Sequence, residues 1–302
     1  MSFFTVVHCE QRKIEEQNIC QMAQLKNLPI ALVLLRGDHC PWSQKLQKDV
    51  LTDVFFQEHI HESAVLWTLN SDEITEQKYD IKEFPQVLLL DPLGKEFARF
   101  GYLPLTAQGY LDEMKRLIQN FQDVCIALDR EKENPLDEEQ WIELYRKATT
   151  LSMPYFKQVI LEKGLKKEKG DFFHLEKLAN ALAKNKIKNP QILKLKTDLL
   201  KRDPENKRGT HYKVALLEFQ KAVTRHKSKG RIERVLKPLI QYIQGIGKRD
   251  AENLWKAEMA VAEFLFEKKA LSSAIEHMQA AYDAAPEAVK PKVADALLLM
   301  KN

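Results

Sequence analysis

Cysteine is scarce, with four in 302 residues. That excludes a disulfide-stapled scaffold, in which bridges stand in for a core. Long apolar runs are absent too. No stretch approaches the roughly 18 apolar residues of a membrane-spanning helix, so no membrane partner is expected. Residues 1–13 start apolar, but His8 and Cys9 interrupt them and no basic segment precedes them, which does not read as a signal peptide. A large excess of one charge is also lacking. The net charge of +4 is by itself no sign of a nucleic-acid partner. The cysteines and His8, His59 and His61 show no metal-ligand spacing, so no metal is expected. A reducing, cytoplasmic location follows as the default.

What is present suffices for two domains. The chain is 44% hydrophobic, enough for each half to bury a core. Residues 8–27 carry an amphipathic helical pattern, stopped by Asn27 and Pro29. Cys9 and Cys20 fall on one face of it, about 16 Å apart and too far to bridge. Together with Cys125 on a later helix, they read as small buried hydrophobes. The aliphatic run 30–35 predicts a buried strand, and Leu46, Val50, Leu51 and Phe55 predict a helix over 44–56. His59 and His61 cap or follow its end. A second strand is expected at 64–69. Next comes a short helix capped by Ser71 or Asp72, with Glu73 and Glu76 in its early turns. A third strand is expected at 82–90, entered through Pro85. The turn 91–94 leads to an alternating strand at 95–100, and a long helix follows at 106–126. This order implies a mixed sheet between helices, parallel at first and closed by an antiparallel hairpin.

The stretch Arg36-Gly37-Asp38-His39-Cys40-Pro41-Trp42-Ser43 lies between the first strand and the following helix. Cys40 therefore stands where free backbone N–H groups and the helix dipole favour a thiolate. Pro41 suits the first helical position, where no hydrogen bond is forfeited. His39 is the nearby candidate for lowering the Cys40 pKa, and Asp38 opposes it.

With these elements around it, the stretch resembles the thioredoxin family, in particular the branch whose active site reads Gly-Ser-Asp-Trp-Cys-Pro-Trp-Cys. Phe84-Pro85 matches the family's cis-proline, and 90–95 its hairpin. The resemblance covers about the first 120 residues. It implies that Cys40 is the attacking thiol and that Pro85 and the Phe84 backbone form a groove for an extended polypeptide, narrowed by the bulk of Phe84. Trp42 is implied to be an exposed surface beside the thiol. Two departures stand out. Ser43 replaces the resolving cysteine, so a dithiol cycle within the motif is excluded. Leu34 replaces a buried acid, so proton exchange at a buried leaving thiol is expected to be slow. Disulfide isomerisation, work with glutathione or another external thiol, and the trapping of partners remain open.

Past residue 126 no segment reads as a strand. Nine helices are expected, near 137–149, 154–166, 171–185, 190–202, 210–227, 231–244, 251–268, 271–284 and 287–301, with Pro238 inside one. Ala262, Leu265, Ala274, Met278, Ala281 and Pro286 fall on the small, large and proline positions of a tetratricopeptide repeat, so this stretch resembles that family. The lysines of 163–169 and 184–196 read as a solvated face, because the nearby aromatics Tyr155, Phe156, Phe172 and Phe173 sit at core spacing. The fold class expected is an α/β thioredoxin fold over 1–130, followed by an all-α, tetratricopeptide-like repeat domain over 131–302.

Two functions are consistent with this. One is a thiol–disulfide oxidoreductase or isomerase with Cys40, Ser43 and Pro85 at the centre, His39, Trp42 and Phe84 around them, and a helical domain that binds protein substrates. The other is a non-catalytic adaptor whose helical repeats bind partner proteins. An iron–sulfur carrier is disfavoured by proline at the second position of Cys-Pro-Trp-Ser.

Overall fold

The computed structural model of the protein describes residues 3–37, 40–167, 169–184, 189–225 and 232–301, with side chains from residue 14 onward. Two compact units are present, 1–167 and 168–302.

The first unit begins with α1 (Phe3–Lys26), β1 (Ile30–Leu35), α2 (Pro41–Leu46), α3 (Val54–Ile60) and β2 (Val65–Asn70). It continues with α4 (Glu73–Lys78), β3 (Gln86–Leu90), β4 (Glu96–Gly101), α5 (Ala107–Arg130), α6 (Glu138–Thr149) and α7 (Pro154–Lys167). The sheet order is β2-β1-β3-β4. β1 is parallel to β2 and antiparallel to β3, and β3 is antiparallel to β4. β1 is therefore central and every one of its residues is buried. That is why it reads as an unbroken aliphatic run rather than an alternation.

Leu32, Leu34, Trp67, Leu88 and Leu90 form one core with Ala23 of α1. Ala31, Val33, Val87 and Leu89, pointing the other way along the strands, are buried as well. On β4, Phe97 stacks on Phe121 of α5 at 4.2 Å. Asp72 settles the cap of α4, accepting from Thr75 N at 2.9 Å.

The helix expected over 44–56 is broken. α2 runs on as a π turn, Gln47–Leu51, and α3 starts afresh behind Asp53, whose carboxylate accepts from Phe56 N at 3.1 Å. The apolar spacing is met before the break, where Leu46, Val50 and Leu51 are buried, but not after it: Phe55, expected on the same face, is 39% exposed and its neighbour Phe56 is buried instead. The third strand begins at Gln86 rather than 82, since Pro85 donates no ladder bond.

Strands end at β4, yet the first unit extends to residue 167, past the boundary expected near 130. α6 packs on α5 and α7 on α6. The turn between α6 and α7 is tied to the sheet by Ser152 N donating to Phe97 O at 2.8 Å.

In the second unit the described residues are helical: α8 (Phe172–Lys184), α9 (Pro190–Arg202), α10 (Thr210–Arg225), α11 (Ile232–Gln244), α12 (Leu254–Glu267), α13 (Leu271–Ala284) and α14 (Lys290–Lys301). A 3-10 turn, Ile246–Arg249, follows α11, which runs through Pro238. Leu178, Leu182, Ile192, Leu199 and Val214 fill the space between α8, α9 and α10. Ala262, Leu265, Ala274, Met278 and Ala281 are all buried, and α12 packs on α13.

Candidate functional site

Cys40 closes the loop after β1 and occupies the N-cap of α2 in extended backbone (φ −107°, ψ 106°). As a thiol its side chain makes no capping hydrogen bond. Pro41 follows at the first helical position, as expected. The Cys40 thiol, half-buried, donates to the Phe84 carbonyl at 3.8 Å. The Phe84–Pro85 peptide is cis, in line with the resemblance, and Pro85 is buried. Two segments far apart in sequence thus meet at one sulfur.

Ser43, one turn into α2, is 2% exposed. Its oxygen accepts from Arg36 N at 3.1 Å. That bond leaves the hydroxyl hydrogen free to point at the Cys40 sulfur. Burial is the largest influence on the Cys40 thiol and pushes its pKa up. Donors available to the thiolate, the Ser43 hydroxyl and the Ser43 and Trp42 N–H groups, together with the Arg36 charge, outweigh it and hold the pKa below the ordinary 9.0. Cys20 and Cys125 go the other way, since burial dominates and raises both. They are half-buried rather than fully buried; Cys20 packs against the α1 core.

Trp42 is 54% exposed and leans on Tyr102, with ring centroids 4.9 Å apart. Lys45 Nζ lies 5.9 Å from the centre of the Tyr102 ring. The Arg36 guanidinium lies 5.4 Å from the centre of the Phe84 ring. Leu34 is fully buried where the resemblance has an acid.

The structure brings Cys40, Ser43, Trp42, Phe84 and Pro85 together. His39 and Asp38 lie outside the described residues. His39 is not the only group able to lower the Cys40 pKa, since the Ser43 hydroxyl and Arg36 both act in that direction. Arg36, Lys45 and Tyr102 were not identifiable as site residues from sequence. Tyr102 reaches the site only because β4 ends beside the cis-proline loop, and nothing in its own neighbourhood signals this.

Residues 17–117 match the family of thioredoxin-like domains. Over an alignment of 306 positions the chain is 27% identical to the thioredoxin-related protein DsbJ of Chlamydia pneumoniae, spanning 96% of this chain and 87% of that protein. A stretch of 104 residues is 26% identical to the disulfide bond reductase DsbH of the same organism, spanning 30% of this chain and 63% of that one. Among solved structures, a DsbH oxidoreductase aligns at 22% identity over 33% of this chain and 79% of that chain, with a TM-score of 0.30.

Proposed function

We propose that this chain, which carries a thioredoxin-like domain over residues 17–117, is a monothiol thiol–disulfide exchange protein acting on polypeptide disulfides. The observation that carries the reading is the Cys40 thiol, 3.8 Å from the Phe84 carbonyl beside cis-Pro85 and held below its ordinary pKa. The names of the two relatives, a thioredoxin-related protein and a disulfide bond reductase, lean the same way.

In this reading the Cys40 thiolate attacks one sulfur of a substrate disulfide. A new S–S bond forms to Cys40, the old one breaks, and the leaving sulfur carries away the electron pair as a thiolate. The Phe84 backbone guides the substrate in as an added strand. Ser43 stabilises the thiolate before attack and again when Cys40 leaves, but it has no sulfur with which to resolve the intermediate. A second thiolate does so, either the substrate's own, giving isomerisation, or an external thiol such as glutathione. No net oxidant or reductant is consumed in isomerisation. The helical unit docks the protein substrate.

The test is refolding of a scrambled disulfide protein, with wild type compared against Cys40→Ala and with or without an external thiol. Faster recovery with wild type is expected. Equal recovery would discard exchange chemistry and leave an adaptor that binds partners through its helices.

A further inference from the structure

Arg36 and Lys45 are each laid over an aromatic ring of the site, Phe84, whose carbonyl accepts from the Cys40 thiol, for Arg36 and Tyr102, which packs on Trp42, for Lys45. Both are exposed, and among the described residues neither makes an ion pair. Glu83, next to Phe84 in the chain, accepts from the Gln86 side chain at 3.4 Å, and Asp38 lies outside the described residues. A cation resting on an aromatic face is held in place yet keeps its charge available. Two such cations on the aromatic rings of the site put positive charge at its rim.

We infer that this rim selects disulfides carrying carboxylates next to the reacting sulfur. Arg36 takes an anion on the Phe84–Pro85 side, and Lys45 takes one on the Trp42–Tyr102 side. The inference rests on the exchange reading above and names its substrate class. The exchange step is unchanged: the Cys40 thiolate forms the new S–S bond, the incoming S–S bond breaks, and the departing thiolate takes the electron pair. The rim adds attraction for an anionic partner on approach, and it offsets the repulsion between that partner and the Cys40 thiolate. Acidic residues flanking a polypeptide cysteine and the carboxylates of a small thiol share this chemistry.

The test measures the rate at which Cys40 of the full chain reacts with an anionic disulfide, 5,5′-dithiobis(2-nitrobenzoate), a neutral one, 2,2′-dithiodipyridine, and a cationic one, cystamine. Rates of Cys40→Ala are subtracted to remove the other thiols. Each remaining rate is divided by that of 2-mercaptoethanol with the same probe, which removes intrinsic reactivity. At low ionic strength the anionic probe is expected to lead the neutral one by about three- to thirtyfold, and the cationic one to trail. The lead shrinks towards unity at about 0.5 M salt. Arg36→Gln/Lys45→Gln abolishes it, and Lys45→Gln alone, remote from the sulfur's hydrogen bonds, roughly halves it on a logarithmic scale. Arg36 also tunes the thiol, but that affects all probes alike and cancels in the ratio.

Two further disulfides separate the sources. A symmetric peptide dimer with glutamates beside its cysteine, against its glutamine counterpart, reports polypeptide recognition, and oxidised glutathione reports a small carboxylated partner. A lead by either supports the inference. Fast reaction with the neutral probe and no charge preference would overturn it while leaving exchange standing. Slow reaction with every probe would overturn both.

Discussion

Ser43 is buried and accepts from Arg36 N, and its hydroxyl is one of the groups that lower the Cys40 pKa. Ser43→Ala removes both effects. One hydrogen bond is worth about 1 kcal/mol, so the thiolate population near neutral pH should drop about fivefold. The Cys40 pKa should move up, and the pH profile of its alkylation by iodoacetamide should move with it. A profile that superimposes on wild type would show that the hydroxyl does not serve the thiolate. Ser43→Cys tests the other half of the argument. It keeps the size and supplies a resolving sulfur one helical turn away, so a mixed disulfide trapped on Cys40 should be released without added thiol. In wild type the same adduct should persist until an external thiol arrives, as mass spectrometry over time would record.

Among the elements, those built on local repetition were legible beforehand. β1 announces itself by an unbroken aliphatic run, and the helices past residue 130 by 3.6-residue spacing and proline punctuation. The break at 47–53 was not legible, because adjacent Phe55 and Phe56 let the apolar pattern be read as one continuous helix through Phe55, whereas the structure buries Phe56. Asp53, placed as a cap three residues before Phe56, was the available signal. The site was legible through Cys40, Ser43 and Phe84-Pro85, whereas Arg36, Lys45 and Tyr102 join it only through tertiary juxtaposition. The polar loop joining α9 to α10 shows the same limit. Asn206 and Gly209 both adopt positive φ there, and a Cβ on Gly209 would come within 2.9 Å of Asn253 Nδ2. Asn253 is itself bonded to the Asp250 carboxylate, which also receives Asn206 and the Tyr242 hydroxyl. Gly209→Ala should therefore cost about 1–3 kcal/mol. Asp250→Ala, which leaves several buried donors without an acceptor, should cost about 3–5 kcal/mol. Urea denaturation followed by the circular dichroism of the helices would measure both. A loss under 0.5 kcal/mol for Asp250→Ala would mean that the network is ornamental.

At the scale of the whole molecule, the two units hold their carboxylates differently, and acid should tell them apart. In the first unit, Glu113, Asp123 and Glu131 lie below their ordinary pKa mainly through ion pairs with Arg116, Lys147 and Lys163. These pairs are solvent-accessible, and each is worth only about 0–1 kcal/mol. In the second unit, Asp171, Asp203 and Asp250 are buried. Desolvation is the largest influence on each and pushes the pKa up, yet their hydrogen bonds prevail and hold all three below the ordinary 3.8. For Asp171 the donors are Arg202, Arg208 and Thr210; for Asp203 they are the N–H groups of Arg208 and Thr210. Each folded-state pKa is depressed, so the stability from these groups is fully present above the unfolded value. It is lost as pH falls through the folded one. Protonation also removes the charge that strengthens the bonds from the exposed Arg202 and Arg208 and from the buried Thr210 hydroxyl. Between about pH 4 and pH 2 the second unit should therefore lose amide protection in 190–284 before the strands of the first unit do. Hydrogen exchange resolved by peptide would follow each unit separately, and Asp171→Asn should remove part of the acid sensitivity while lowering stability at neutral pH. Loss of protection in both units at the same pH would show that these three carboxylates do not set the acid limit of the second unit.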